Sequence, residues 1–307
     1  MSESQPRPPA GSESLPRSLW LYVGALSLLW GLNWPVMKIV VAEVPPWSFR
    51  TLCFLAAFTG LLGIAALRGQ RLLPVGGWGR IAVVGVFAGS FNTIPLMLGL
   101  PDLPAGRSVV LYYTMPVWSV LLAAWLLGER LTPRRVVGVA AGLSAVLLVA
   151  APAWQGRDFP LAGLGLVLLS ALSWAIATVL QKRLPVPLPS SSYSAWVMLL
   201  GGIPVYLLVP LTEADRLGAL GSVSAAAVGG VVYNMIAVFI MGWWIWMRIV
   251  ERAPAGVAAL SSLCTPVVGV VSGMLFLGEQ PAWTDYAALG AVTLAMASVM
   301  LPGRRAA

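Results

Sequence analysis

Ten stretches of at least 17 residues in this chain contain no Asp, Glu, Lys or Arg, and short charged segments separate them. A helix needs about 20 apolar residues to cross the hydrocarbon core of a bilayer. The stretches are 18–37, 51–67, 81–101, 108–128, 136–156, 159–181, 184–212, 217–247, 253–278 and 286–303. The second can begin at Pro46, and the longest ones include polar loop residues such as Ser190. The pattern predicts an all-α polytopic membrane protein with ten transmembrane helices.

The composition excludes several other classes of protein. Charged residues make up 10% of the chain, against about 25% in a soluble domain, so lipid must cover much of the surface. Histidine is absent, which removes histidine-based catalysis, metal ligation and proton relays. The two cysteines, Cys53 and Cys264, lie in apolar runs and predict neither a disulfide framework nor a metal site. We therefore expect no metal and no cofactor.

The distribution of Lys and Arg predicts the orientation. Ten spans place both termini on one side of the membrane, and 14 of the 19 basic residues fall on that side. The other side receives Lys38, Arg50, Arg107, Arg157 and Arg216. Because cytoplasmic loops carry the excess of Lys and Arg, both termini should be cytoplasmic. The basic charge then suits contact with anionic lipid, and we expect no nucleic-acid partner.

The second half of the chain repeats the first. Residues 104–129 and 254–279 share nine of 26 positions without a gap. The shared positions include a Pro-Ala-Gly start, a helix proline and a terminal Gly-Glu, which are Glu129 and Glu279 in the two copies. A unit of five helices is odd, so the second unit enters the membrane from the opposite side. We expect a disordered cytoplasmic tail at 1–17, repeats at 18–152 and 159–302, and a cytoplasmic tail at 303–307.

An inverted repeat is a recurring architecture of transporters, in which two similar halves exchange conformations around a site near the midplane. Channels and intramembrane enzymes can also contain repeats. An enzyme would need a nucleophile–base pair, an acidic pair or a metal cluster at depth. The sequence has no histidine and no acidic residue in the middle of a predicted helix. We therefore expect a transporter and no enzyme activity.

These motifs resemble the EamA-type transporters of the drug/metabolite transporter superfamily. The resemblance covers residues 18–302. It rests on Trp30-Gly31, Asn33, Lys38, Pro46, Arg50, Pro116, Gly128-Glu129-Arg130-Leu131, Trp174, Lys182, Pro266 and Gly278-Glu279. It implies a ten-helix exporter of metabolites in the bacterial inner membrane, and similar bacterial proteins include exporters of amino acids, some favouring aromatic ones. The segment Pro101-Asp102-Leu103-Pro104 departs from the family pattern, which is more helical at the turn between helices 3 and 4.

Candidate substrate-binding residues are polar or aromatic side chains within the predicted helices. They are Asn33, Trp34, Asn92, Tyr112, Tyr113, Trp174, Tyr233, Asn234, Ser261 and Ser262. Asn33 is the strongest candidate, because the nearby Pro35 frees a backbone carbonyl. Each residue also has an ordinary structural interpretation. The amides and hydroxyls could bond between helices or to freed carbonyls, and the aromatic rings could pack in the core or against lipid.

Four charged residues at helix ends suggest a gate. Lys38 and Glu279 fall on the outer face, and Lys182 and Glu129 fall on the cytoplasmic face. Our hypothesis is that each pair forms an ion pair in the state that is closed on its own side. Opposite charges at helix ends are also common without gating, and exposed pairs stabilise by only about 0–1 kcal/mol.

The lack of a carboxylate in mid-helix bears on the substrate. Proton-coupled antiporters usually carry one, so the sequence favours facilitated export of a neutral or zwitterionic small molecule, such as an amino acid. Coupling through a peripheral Glu or Asp stays open. The alternative is an exporter of quaternary cations, drugs or other metabolites with the same fold. The sequence leaves the oligomeric state open and favours a monomer.

Overall fold

The computed structural model describes residues 17–156, 159–216, 223–252 and 255–300, without the side chains of 17, 18, 250, 251 and 255–261. These residues form helices joined by turns and loops, with no strand among them, so the all-α prediction is confirmed. The helices are α1 (Arg17–Glu43), α2 (Pro46–Leu67), α3 (Trp78–Gly99), α4 (Ala105–Leu127), α5 (Pro133–Trp154), α6 (Leu161–Arg183), α7 (Ser190–Thr212), α8 (Ala225–Ile249), α9 (Ala255–Leu277) and α10 (Trp283–Met300).

Eight helices, α1 to α8, are long and apolar enough to cross a membrane, counted over the described residues. The described part of α9 adds a shorter apolar run, Ser262–Leu277, and the first turn of α10 contains the polar residues Thr284 and Asp285. The multi-pass character is therefore established, and the number ten stays a prediction. The predicted tails at 1–17 and 303–307 lie outside the described residues, apart from Arg17, which begins α1.

The repeated Gly-Glu sequence ends α4 and α9 in the same way. Gly128 has φ +68° and Gly278 has φ +64°, a left-handed conformation that glycine adopts without steric cost. The next amide, of Glu129 or Glu279, donates to a carbonyl six residues earlier at 3.3 Å in both cases. Each chain reversal is therefore fixed locally by the residues that the two halves share.

Helices α3 and α7 approach each other at the backbone. A methyl group on Gly201 would lie 2.1 Å from the carbonyl oxygen of Gly85, so no side chain fits between them. This contact occurs without bulky residues, as expected where helices associate in lipid through small residues. The pair Gly138 and Gly142 likewise faces α10 and α4 within the chain.

Two helices contain wider turns of the π type. Residues Val209–Glu213, at the end of α7 and one residue beyond it, and Asn234–Gly242 of α8 have this geometry. Such turns are rare in proteins overall, and many of those that occur lie at functional sites. In α8 the π segment includes Val238 and Phe239, which line the cavity described below.

The helices pack in pairs that draw on both halves of the chain. Helix α1 lies along α9, and α4 lies along α6; similarly, α2 contacts α8, and α3 contacts α7. Large contacts also join α3 to α6, α2 to α7 and α5 to α10. The main core lies between these pairs and is filled by side chains such as Phe49, Phe54, Leu61 and Val109.

Candidate functional site

A central cavity of about 140 Å³ lies between helices from both halves of the chain. Its walls come from α1, α2, α3, α4, α6, α7 and α8. Sites for drug-sized ligands usually measure roughly 300–1,000 Å³, so this cavity suits a small solute. Six of the predicted binding residues line it. They are Asn33, Trp34, Asn92, Tyr112, Tyr113 and Trp174.

Aromatic rings form two groups around the cavity. In the first, the ring of Tyr112 lies 5.4 Å from that of Trp34 and 5.9 Å from that of Tyr113. In the second, Trp243 lies 6.5 Å from Trp30 and 6.0 Å from Trp174. These separations are within the range of favourable ring contacts. Trp30 and Trp243 were not among the predicted binding residues, although their type and helical position resemble those of the predicted ones.

Asn92 connects three helices at the edge of the cavity. Its amide nitrogen lies 3.1 Å from the hydroxyl oxygen of Tyr112, and 3.0 and 3.1 Å from the carbonyl and hydroxyl oxygens of Ser170. The amide therefore has partners on α4 and α6. This geometry favours the interhelical interpretation for Asn92 and fixes the direction of the Tyr112 hydroxyl.

Asn33 differs from Asn92 in its hydrogen bonding. Its side-chain oxygen is buried and has no hydrogen-bond partner among the described residues. A buried acceptor without a partner costs free energy of about 1–3 kcal/mol. Because Asn33 lines the cavity, its oxygen is available to a donor on a bound solute.

Four predicted residues are not brought into this cavity by the described structure. The Tyr233 hydroxyl donates to the carbonyl of Leu29 at 2.7 Å and joins α8 to α1. Asn234 is fully buried, and its amide donates to its own helix at Gly230. Ser262 is buried in α9, away from the cavity wall, and the side chain of Ser261 lies outside the described residues.

Arg50 is a cavity residue that the sequence placed on the outer side of the membrane. The structure puts it within the second turn of α2, 4% exposed, in the cavity wall. A usable signal was present, because extending the charge-free stretch 51–67 back to Pro46 includes Arg50. A cation inside a transmembrane helix usually faces the bundle interior and marks a functional site.

One face of the molecule carries three carboxylates that cap helices; we call it the carboxylate face. Glu43 accepts from the backbone and hydroxyl of Ser224, both at 2.7 Å. Glu213 accepts from the amides of Trp47 and Ser48 at 2.8 and 2.7 Å. Because the first amides of a helix lack partners and carry partial positive charge, each carboxylate stabilises the start of another helix.

Glu279 is the third carboxylate and holds the turn before α4. It accepts from the amides of Ala105 and Gly106 at 2.5 and 3.0 Å. Lys38 donates to the carbonyl of Leu103, on the other end of the same turn. The expected ion pair between Lys38 and Glu279 is not formed within 4 Å in this state, because both side chains bind the backbone between them.

The opposite face is held by more exposed contacts. Glu129 lies 3.1 Å from a nitrogen of Arg135 and 3.8 Å from the ammonium of Lys182. These side chains are 32–63% exposed, so the pairs contribute little to stability. The predicted contact between Lys182 and Glu129 is therefore present, but in a solvated setting.

Comparison with known proteins matches nearly the whole chain to one family of transporters. The EamA-like transporter family model matches residues 18–151 and again 161–301. The probable amino-acid metabolite efflux pump of Salmonella typhimurium is 28% identical over 266 residues, which are 83% of this chain and 87% of that protein. The uncharacterized inner membrane transporter YedA of Escherichia coli is 26% identical over 281 residues, covering 90% and 89%.

One solved crystal structure shares the fold. It superposes with a TM-score of 0.65 at 22% identity and covers 92% of this chain and 96% of the other. The family and the names of the relatives indicate a transporter rather than an enzyme. Since the family model matches both halves of a helical membrane protein that encloses a central cavity, the chain belongs to the EamA-like transporter family.

Proposed function

We propose that this protein exports small metabolites, and specifically amino acids of aromatic or broad range, by alternating access around the central cavity. The observation that carries the proposal is the cavity wall, which combines aromatic rings with the unpartnered amide oxygen of Asn33. Rings can receive an apolar or aromatic side chain, and they attract an ammonium group. The relative named as an amino-acid metabolite efflux pump supports the same substrate class.

An inverted repeat of two five-helix units, 18–152 and 159–302, is part of the proposal. One family model matches both halves, and α4 and α9 end with the same glycine conformation. The helix contacts follow the same symmetry. The contact between α1 and α9 corresponds to the one between α6 and α4, and the contact between α2 and α8 corresponds to the one between α7 and α3. Two similar halves around one site can open it alternately to either side.

The proposed location is the bacterial inner membrane, with both termini in the cytoplasm. The distribution of Lys and Arg supports this orientation, and a relative is named an inner membrane transporter. In this orientation, the carboxylate face is the outer face. Impermeant labelling of single cysteines at Ser224 and Arg183, on opposite faces, tests the orientation in whole cells.

The four charged residues Lys38, Glu279, Lys182 and Glu129 are proposed to form the gate. Glu279 and Lys38 hold the turn before α4 from both sides, which supports an outer gate made from helix-cap bonds. The repeat assigns Glu129 and Lys182 the equivalent task on the cytoplasmic face. Their contacts here are solvated, and this weaker attachment supports a state in which that side opens more readily.

Export of quaternary cations is the competing function, because aromatic rings also bind such cations. Arg50 argues against it, since a fixed positive charge in the cavity wall repels a cationic solute. Proteoliposomes loaded with a panel of radiolabelled amino acids, or with cationic dyes, separate the two functions. We expect efflux of amino acids above the rate of empty liposomes, and efflux of dyes alone would refute the proposal.

A further inference from the structure

We propose that Arg50 binds the carboxylate of the transported solute, so that the cavity selects molecules with a carboxylate group. This inference rests on the proposed export function and adds the group that recognises the substrate. This role of Arg50 is separate from the four residues proposed to form the gate. Its side chain lies in the cavity wall, beside the aromatic groups and Asn33.

The first argument is that Arg50 is a buried cation without an acidic partner. Only 4% of the residue is exposed, and no carboxylate of the described residues lies within 4 Å of its guanidinium, since the described ion pairs involve other side chains. The nearby carboxylate Glu213 is engaged with the amides of Trp47 and Ser48. Buried charges are normally paired, so a counter-charge for Arg50 is missing among the described residues.

The second argument is the chemistry of the groups that do contact Arg50. Its Nε lies 3.3 Å from the sulfur of Met97, and a terminal nitrogen donates to the sulfur of Met37. The guanidinium also lies 4.9 Å from the ring centroid of Phe49 and 5.7 Å from that of Phe239. Thioether sulfurs are weak acceptors. These neighbours hold the side chain in place without neutralising it.

A carboxylate completes this arrangement better than other small groups. Guanidinium has five N–H donors in a planar fork that matches the two oxygens of a carboxylate. The thioether contacts are weak, so a negatively charged oxygen that enters the cavity would displace them. A water molecule or a neutral carbonyl offers no charge, and an ammonium group is repelled.

The same wall offers an acceptor for the ammonium group of an amino acid. Asn33 lies one helical turn before Met37, on the same face of α1, and its oxygen has no partner among the described residues. A zwitterion could therefore place its carboxylate at Arg50 and its ammonium at Asn33, with its side chain against the rings of Trp34 and Tyr112. A solute with a carboxylate and no ammonium would use Arg50 alone.

The test compares three matched probes on the full-length protein: phenylalanine, phenylalaninamide and 3-phenylpropionate, with the corresponding leucine set. Tm in detergent reports binding, and proteoliposome counterflow reports transport. The variants are Arg50→Gln, Arg50→Met and Arg50→Lys. Arg183→Gln is the control, because Arg183 is exposed at the end of α6.

We expect amino acids and carboxylic acids to raise the Tm of the wild type, and amides to leave it unchanged. Arg50→Gln should weaken the binding of the amino acid and of the carboxylic acid about 30-fold or more, as expected when one partner of a buried charge pair is lost. Arg50→Lys should retain part of it. Arg50→Met should keep or raise the Tm of the ligand-free protein, since it removes an unpaired buried charge, and the control should match the wild type.

The outcomes separate this inference from the proposed function. Equal responses to an amino acid and its amide, an unchanged response in Arg50→Gln, or no response of the wild type to any carboxylate would overturn the role of Arg50. Transport of dyes but not of amino acids would refute amino-acid export. If acids still stabilise the wild type and not Arg50→Gln in that case, the inference about Arg50 stands. A large fall in the ligand-free Tm of Arg50→Met would show a structural role and overturn the inference.

Discussion

The amide of Asn92 donates to the hydroxyl oxygen of Tyr112 over 3.1 Å and so joins α3 to α4 beside the cavity. The same amide reaches Ser170 on α6. Asn33, which also lines the cavity, has a side-chain oxygen without a partner among the described residues. Two residues of the same type in one cavity therefore differ in what they do, and substitution should separate them.

Asn92→Leu should destabilise the protein by about 1–2 kcal/mol, because it removes hydrogen bonds to two helices. Asn33→Leu should keep or raise the Tm, because it removes an unpaired buried acceptor, and should reduce amino-acid counterflow at least tenfold. Thermal unfolding in detergent and counterflow in proteoliposomes measure the two effects. Equal losses of Tm in both variants would contradict this distinction.

Glu213→Gln should lower the free energy of unfolding by about 1.5–3 kcal/mol, since it removes a carboxylate that accepts hydrogen bonds from two amides and a hydroxyl at the start of α2. The residue is 2% exposed, so solvent cannot replace it. Asp215→Asn is the control, because Asp215 is exposed two residues later. A Tm unchanged in Glu213→Gln would show that the cap contributes nothing.

Gly273→Ala should loosen the outer gate. The added methyl group would lie 2.6 Å from a carboxylate oxygen of Glu279, which forces that oxygen away from the amides of the turn. We expect faster labelling of Ser108→Cys by an impermeant maleimide, in a background without Cys53 and Cys264.

Gly290→Ala serves as the matched control, since nothing lies within 4 Å of a methyl group there. Labelling that stays at the wild-type rate in Gly273→Ala would argue against a gate at this turn. Faster labelling in both glycine variants would indicate general loosening instead.

Exchanging the charges of Lys38 and Glu279 should not restore transport lost in the single reversals. Each side chain binds the backbone of the turn rather than the other side chain, and a lysine cannot accept the amides of Ala105 and Gly106. Counterflow by the double variant is the measurement. Recovery to half of the wild-type rate or more would instead support a direct ion pair in another state.

Trp34→Ala should reduce transport of aromatic amino acids more than transport of small ones, because the ring packs 5.4 Å from Tyr112 in the cavity wall. Trp34→Phe should preserve most of the activity. Trp125→Ala provides a comparison, since that ring is 79% exposed and lies away from the cavity. A uniform loss for all amino acids would mean that Trp34 shapes the bundle rather than the specificity.

The positions of the helices could be predicted from the sequence because the bilayer penalises charge. The stretch 159–181 corresponds to α6, Leu161–Arg183, and 136–156 corresponds to α5, Pro133–Trp154. The glycine that ends α4 could also be predicted from its repeat. The prediction from charge was wrong at Arg50. This charged residue lies inside α2, and it can do so because the neighbouring helices shield it from lipid.

The roles of individual polar residues could not be predicted in this way. Asn33, Asn92 and Asn234 look alike in sequence, but one faces the cavity without a partner, one bridges helices, and one bonds to its own helix. The rotation of each helix about its axis decides between these outcomes. That rotation depends on packing between distant segments, and in α8 also on a π-type stretch that shifts the register of the face.

The unpaired charge of Arg50 has an electrical consequence. Moving one elementary charge across the whole membrane changes the free energy by about 2.3 kcal/mol per 100 mV. Any displacement of α2 along the membrane normal therefore couples the empty protein to the transmembrane voltage. A bound carboxylic acid without an ammonium group cancels that charge and makes the same displacement insensitive to voltage, whereas a zwitterion has no net charge and leaves it sensitive. The voltage therefore distinguishes a carrier loaded with such an acid from one that is empty or loaded with an amino acid.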